Sequence, residues 1–374
     1  MGRKLLVASL IGVIVLNLVI YALASAQATY PPPFKLSAGT ELSIVVRGYD
    51  GSTVTQHVHP SILVFMYGLN GYRYVMALTP YPNGNNAYEH PSIVFSNDLE
   101  TWTEDGVSNP IAYNSTYYNA DPHLVYDPVN RRLIVYYMRI ASDSGASSRT
   151  TFILAKYSYD GISWSDEIPV LQSSPTGCGY VSPAVVYDKE RKEFLMWVNH
   201  VNYSTQEKEV LLFRSNDGFS WSYVGKCNIT QVYNGQDWVV WHLSVRKVGN
   251  EYWMIAAMNP RGTTDGGAPI HLFFFKSRDG LNWIGYSEPI LTSSDAGAER
   301  LYRADFFVYG GCIHVFYSWR ASDGSWHISY THTRVGDPAL TSSNVINDAP
   351  TPTVPPSLSE WMYCLLYTSD AADE

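Results

Sequence analysis

The sequence predicts an all-β fold, a five-bladed β-propeller over residues 53–336, and three observations carry that prediction. Four turns repeat: SNDLETW (Ser96 to Trp102), SYDGISW (Ser158 to Trp164), SNDGFSW (Ser215 to Trp221) and SRDGLNW (Ser277 to Trp283) share Ser, Asp two residues on and Trp six on, about sixty residues apart. Five strand openings precede them at the same spacing: HPSILVF at His59, DPHLVYD at Asp121, SPAVVYD at Ser182, HLSVRK at His242 and DFFVY at Asp305. Beyond the N-terminus, no segment has a helical period.

Each unit reads as a β-meander. An apolar strand is followed by a short polar turn (DPVNR, DKERK, VGN or YGG), a second strand rich in aromatic and β-branched residues, and a loop. A third strand then ends in the Asp-Gly turn before Trp. The Ser-x-Asp-Gly-x-x-Trp turn is read as structural, with Asp and Ser capping backbone N–H groups, Gly supplying positive φ and Trp packing between blades. In the fifth unit SDGSW (Ser322 to Trp326) comes directly after the second strand, so the outer strand is missing. ELSIVV (Glu41 to Val46), in the N-terminal segment 27–52, can supply it and close the ring.

With 46% hydrophobic and 16% charged residues, the 374-residue chain has ample material for a core. A formal charge of −9 without any Lys/Arg run argues against a nucleic-acid partner. Residues 1–26 read as a signal peptide, with Arg3 and Lys4, an apolar run from Leu5 to Leu23 and a small-residue site at Ala24-Ser25-Ala26. An uncleaved anchor is the alternative, and either places the propeller outside the cell or at its surface. Residues 337–363 form a Pro/Thr-rich linker running into PSLSEW, which resembles the opening of a C-terminal sorting segment and implies a membrane or cell-surface tether. CLLYTSDAADE (364–374) reads as a translated sequencing adapter and is set aside. The spacing of Cys178, Cys227, Cys312 and Cys364 matches no zinc pattern, and Cys178 with Cys227 reads as a disulfide or as two isolated thiols.

In a propeller the inner-strand starts and the loops between second and third strands share one face. That geometry gathers His59, Asp121, Ser182, Trp241, His242, Arg303 and Asp305, with Tyr88 and Glu89 from the Tyr81–Glu89 loop. Carboxylates converging with aromatic rings suit glycoside chemistry, in which one carboxyl protonates the leaving oxygen and another activates water. The expected catalytic groups are Asp121 and Glu89 as acid and base, with Asp305 as a third acid. His59, Tyr88, Trp241, His242 and Arg303 are the expected substrate-binding residues. No cofactor or catalytic metal is expected, although the channel leaves room for a structural calcium.

The five-bladed layout, the signal peptide, the strand-initial ADP at Asp121 and the Ser-x-Asp-Gly-x-x-Trp hairpins together resemble the glycoside hydrolase family 43 and family 32 superfamily. That resemblance implies a secreted or tethered monomeric hydrolase of arabinofuranosidase or xylosidase type, acting on a polysaccharide or oligosaccharide. It also implies three inner-strand acids, of which only Asp121 has a counterpart. His59 stands where the base is expected and Ser182 where the acid is expected. Two other functions fit the scaffold: a carbohydrate-binding or adhesion propeller, favoured by His59 and Ser182, and a glycoside phosphorylase using Arg303, His242 and Arg261.

Overall fold

A computed structural model describes residues 30–142, 149–172, 177–263, 269–336, 342 and 344–347. Five antiparallel sheets stand radially around one axis as a five-bladed β-propeller. The inner strands are His57–Leu69, Asn119–Asp127, Cys178–Asp188, Gln236–Val248 and Arg300–Tyr309. Each pairs with the strand that follows it, Tyr72–Pro80, Arg132–Ser142, Glu193–Asn202, Glu251–Pro260 and Cys312–Arg320. Side chains alternate between the two faces of every sheet, so apolar residues from neighbouring blades meet in clusters such as Trp197, Leu212, Tyr252 and Phe273.

The four repeated hairpins are built alike. In the third blade Asp217 Oδ1 accepts from the backbone N–H groups of Phe219 and Ser220 at 2.7 Å, and Ser215 Oγ accepts from Gly218 N at 2.9 Å. Gly280 has φ +81°, and a Cβ there would lie 2.9 Å from Trp197, so this turn needs glycine for conformation and for space. Burial pushes the carboxyls of Asp98, Asp160, Asp217 and Asp279 upward, but donors from the backbone and from the leading Ser outweigh it and hold all four below the usual range, Asp217 at about 2. A carboxyl depressed in the fold stabilises it above the unfolded pKa of about 3.9 and loses that contribution as pH falls through the folded value. The urea midpoint is therefore expected to drop between about pH 4 and about 2. Asp217→Asn should lower the midpoint at pH 6 and converge on the wild type in acid; an equal gap at pH 6 and pH 3 would refute this.

The ring closes through the N-terminal segment, over a shorter stretch than ELSIVV. Thr40 and Glu41 pair with Tyr330 and Ser329 of the fifth blade. Ser43–Ile44 then runs parallel to Thr101–Trp102 of the first blade, and Val46–Arg47 folds back on Thr53–Val54. One short segment thus ties the last blade to the first.

The stretch expected to be pure linker also enters the fold. Val345–Ile346 lies parallel to Val64–Phe65, and Asn344 Nδ2 donates to the carbonyls of Ile62 (3.1 Å) and Phe306 (2.8 Å). Two apolar residues beside an amide suffice to join the inner strand on the side away from Tyr72–Pro80, giving partners to backbone groups of its free edge. The expected signal peptide, most of the linker and the adapter-like tail lie outside the described residues. Cys227 is a buried free thiol, so the Cys178–Cys227 disulfide is not made.

Candidate functional site

The site begins with a backbone irregularity repeated in the blades. Pairing between inner and second strands slips, in inner-strand numbers, at Val58/Ser61, Ala120/His123, Val181/Ala184, Val240/His242 and Leu301/Ala304. In the first three blades the slipped residue precedes a proline, and His59, Asp121 and Ser182 take φ of +59°, +56° and +54°. Proline has no N–H to give to the ladder, so the strand bulges there. A non-glycine residue at positive φ costs on the order of 1–3 kcal/mol and is found chiefly where surrounding structure holds it. Here it turns the side chain inward, toward the axis.

A collar of hydrogen bonds holds the bulges. Asp121 Oδ2 accepts from Ser182 N at 2.9 Å, Ser182 Oγ accepts from Leu243 N at 3.2 Å, and His59 N donates to Ser318 Oγ at 3.3 Å. Ser182 is thereby committed to joining blades three and four.

Above the collar, His59 Nε2 lies 3.1 Å from Asp121 Oδ1, and His242 Nδ1 lies 3.4 Å from the same oxygen. Neither contact has hydrogen-bond geometry: His59 Nε2, Asp121 Oδ1 and both ring nitrogens of His242 are buried without a hydrogen-bond partner. Leaving such atoms unmatched is expensive, so their convergence needs an explanation. His59 Nδ1 is 2.8 Å from Thr79 Oγ1, which fixes the ring when that nitrogen carries the proton and leaves Nε2 as a lone pair facing Asp121. Burial, reinforced by Arg303, drives His59 well below the usual histidine range, and burial with His59, Arg303 and Lys208 does the same to His242. Both imidazoles are therefore neutral and able to ligate.

One ligand atom from each of His59, Asp121 and His242 lies within 4.8 Å of the others. Two neutral imidazole nitrogens and a carboxylate oxygen form a donor set for a divalent transition-type cation; calcium prefers a shell of oxygens. The residues present thus fit a metal, with ligands from blades one, two and four. No local spacing motif could reveal them.

Glu89 stands at the side of this cluster, its Oε1 3.6 Å from His59 Nδ1. It is 6% exposed, and burial, followed by the nearby Asp121, raises its pKa well above the usual range. Burial also raises Asp121, against the pull of Arg303 and Ser182 N. Arg303 is fully buried, donates through Nη2 to Pro183 O at 2.7 Å and brings Nη1 to 3.9 Å from Asp121 Oδ1, while its Nε and Nη1 have no hydrogen-bond partner. Trp241 stands beside His242, ring centroids 5.3 Å apart, with its Nε1 buried and unmatched.

The structure therefore gathers Asp121, Glu89, His59, His242, Arg303 and Trp241. Tyr88 lies on an outer ring, its hydroxyl donating to Asp50 at 2.7 Å. Asp305 sits one layer deeper with its oxygens engaged by Arg246, Ser244, Ile62 N (2.8 Å) and Phe306 N (2.8 Å). Its carboxylate anchors the axis below the site. Arg261 pairs with Glu207 at 2.9 Å and is half exposed, whereas Arg303 is fully buried. Sequence reasoning missed Thr79 and Tyr302, whose ring centroid is 4.2 Å from that of His242 and 5.2 Å from that of His59. The signal for Tyr302 was present in its place just before Arg303 at the fifth strand opening.

No family model matches the chain. It is 28% identical over 319 residues to the A type blood N-acetyl-alpha-D-galactosamine deacetylase of Flavonifractor plautii, across 74% of this chain and 40% of that protein. The chain thus spans about two fifths of the length of this curated relative. A crystal structure of an N-acetylgalactosamine deacetylase from F. plautii, in complex with blood group B trisaccharide, superposes with a TM-score of 0.70 at 24% identity, covering 81% of this chain and 96% of that one. A family 32 β-fructofuranosidase from Bombyx mori matches with a TM-score of 0.56 at 14% identity, over 84% of this chain and 66% of that one. An exo-β-1,3-galactanase from Phanerochaete chrysosporium gives 0.53 at 14%, over 79% and 64%. These likenesses show the fold: the five-bladed propeller found in glycoside hydrolases of families 32 and 43 and in a sugar deacetylase.

Proposed function

We propose that this protein is a metal-assisted carbohydrate N-deacetylase, which hydrolyses the acetamido group of an N-acetylated sugar at the mouth of the propeller. The observation that carries this reading is the convergence of His59, Asp121 and His242, whose ligating atoms are buried and unmatched. The 28% identical relative, a deacetylase of N-acetyl-α-D-galactosamine, supports the same chemistry and N-acetylgalactosamine as the sugar. The arabinofuranosidase- or xylosidase-like activity implied by the family resemblance gives way in this reading to cleavage of an amide. The extracellular or surface address is retained from the N-terminal sequence.

In the reaction a C–O bond forms from water to the acetyl carbon, the C–N bond breaks, and acetate and a free amine leave. His59, Asp121 and His242 would hold a divalent cation, which when bound supplies Lewis-acid polarisation of the carbonyl and lowers the pKa of water. Glu89 has the properties of the proton carrier: buried, with its affinity for a proton raised, it can take one from the attacking water and return it to the departing nitrogen. Arg303 opposes the upward push of burial on Asp121, since a guanidinium beside a carboxyl favours the charged form, and the bound cation would add to that pull. The indole of Trp241 and the ring of Tyr302 wall the pocket on the side of His242.

A second reading, glycosidic cleavage by Asp121 and Glu89, rests on the raised pKa of both carboxyls. One experiment separates the two. The purified chain is incubated with a trisaccharide bearing terminal N-acetyl-α-D-galactosamine, and acetate and reducing sugar are both measured, with and without chelator. Acetate release that chelator abolishes and zinc or manganese restores is expected. Release of reducing sugar without acetate, or acetate release indifferent to chelator, would overturn the proposal.

A further inference from the structure

Beside the metal-ligand cluster, on the rim shared by blades one and two, is a group of aromatic rings that the chemistry does not use. Tyr49 and Tyr113 are stacked with centroids 5.2 Å apart and planes 9° from parallel, yet they are 40% and 49% exposed. Tyr88 leans on Tyr49 at 5.1 Å, and His90 meets Tyr113 edge-on at 4.9 Å. Exposed rings ordinarily keep their freedom, but these are fixed from beneath. Gly48 N donates to Ser52 O at 2.8 Å and Gly51 N to Gly48 O at 3.0 Å, closing the turn that carries Tyr49. A Cβ on Gly48 would lie 2.9 Å from the Tyr88 ring, so only glycine lets Tyr88 pack there. His90 is tied through Nδ1 to Asn119 Nδ2 at 3.0 Å, and Asn119 is a fully buried residue on the strand that carries Asp121.

The platform is continuous with the site, because Glu89 lies between Tyr88 and His90 in sequence and its carboxyl reaches His59. We infer that Tyr49 and Tyr113 form a subsite for a sugar ring of an oligosaccharide, the unit next to the one whose amide is cleaved. This inference rests on the deacetylase reading and extends it to a substrate longer than one sugar.

The chemistry of the patch selects that occupant. Aromatic faces pack against the C–H face of a pyranose, and acceptors at their edge bind its hydroxyls. Asp50 stands at that edge, accepting from Ser52 Oγ at 2.6 Å and from Tyr88 at 2.7 Å, with lone pairs left over. Those two donors hold its pKa at about 2, so it is a full acceptor at any working pH. The patch is a few rings wide and edged by a carboxylate on a chain of charge −9, which disfavours an anionic membrane surface. Rings already ordered before binding lose little freedom when a sugar arrives.

The test compares wild type, Tyr49→Ala and Tyr113→Ala on two probes: the trisaccharide with terminal N-acetyl-α-D-galactosamine, and methyl N-acetyl-α-D-galactosaminide. Thermal melts confirm that these surface changes leave the fold intact. The expected result is a rise of about tenfold in KM for the trisaccharide with kcat unchanged, and no change on the methyl glycoside. Equal losses on both probes, or no loss on either, would overturn the subsite while leaving the deacetylase reading standing. Should wild type release no acetate, saturation-transfer NMR with the trisaccharide decides: binding that weakens in the Tyr variants keeps the subsite and removes the deacetylase reading, and no binding by wild type removes both.

Discussion

Asp121→Asn is expected to abolish acetate release, to below about one part in a hundred of the wild-type rate, and to empty the chain of metal. Loss of a residue that merely supports a ligand typically costs about 10–100-fold in affinity or activity, and a ligand itself should cost more. Asp121 Oδ1 lies 3.1 Å from His59 Nε2 and 3.4 Å from His242 Nδ1, where it would be the oxygen donor of the proposed site, and its other oxygen receives Ser182 N. The amide keeps the shape and the Ser182 contact but supplies no charge. The fold should therefore survive, visible as an unchanged near-ultraviolet circular dichroism spectrum. Metal content per chain by mass spectrometry should fall from near one to near zero. A variant that still holds a stoichiometric ion and still deacetylates would remove Asp121 from the site.

The second large effect is on stability. Arg246→Met is expected to destabilise the propeller by about 3–5 kcal/mol, because it strands a buried carboxylate. Arg246 and Asp305 are 1% and 0% exposed and form an ion pair on the axis, while Arg246 Nη1 lies 2.8 Å from His123 Nε2. Asp305 joins this pair to the backbone of blade one through Ile62 N, and His123 belongs to blade two, so one charge pair fastens four blades. The double variant Arg246→Met, Asp305→Leu removes both charges and should recover much of the loss, since an apolar replacement of a buried pair is often neutral. Urea unfolding of the three proteins measures this. A double variant as unstable as the single one would mean that hydrogen bonds to Ser244 and His123, rather than charge, hold the axis together.

The architecture was legible in the sequence because it repeats. Period-two strands and a turn that recurs about every sixty residues leave few folds to choose from, and each hairpin aspartate caps the backbone that its motif implied. The convergence of His59, Asp121, His242 and Arg303 followed from the same register. Asp305 shows where register failed. ADF at Asp305 looks like ADP at Asp121, yet the fifth strand slips between Leu301 and Ala304, so the counterpart of the Asp121 bulge lies at Tyr302 and Arg303 and Asp305 faces down the axis. The bulge inserts one extra residue, three steps on this strand against two on its partner, and so exchanges the two faces, a change the letters Ala-Asp do not record. The cluster of His59, Asp121 and His242 was hidden as a ligand set for another reason, its members being sixty and more residues apart and joined by no motif. The strand Val345–Ile346 was hidden by its brevity.

The left-handed bends at His59, Asp121 and Ser182 have an implication for how such molecules change occupation. The main chain bears the strain at each bend, and at His59 its own N–H makes the contact to the neighbouring blade, so the imidazole mounted there adds reactivity without carrying the architecture, whereas the side chains of Asp121 and Ser182 also join blades. A mount of the His59 kind can exchange its side chain while the sheets stay where they are. New chemistry on this frame then needs a few replacements at fixed posts and no new path for the polypeptide.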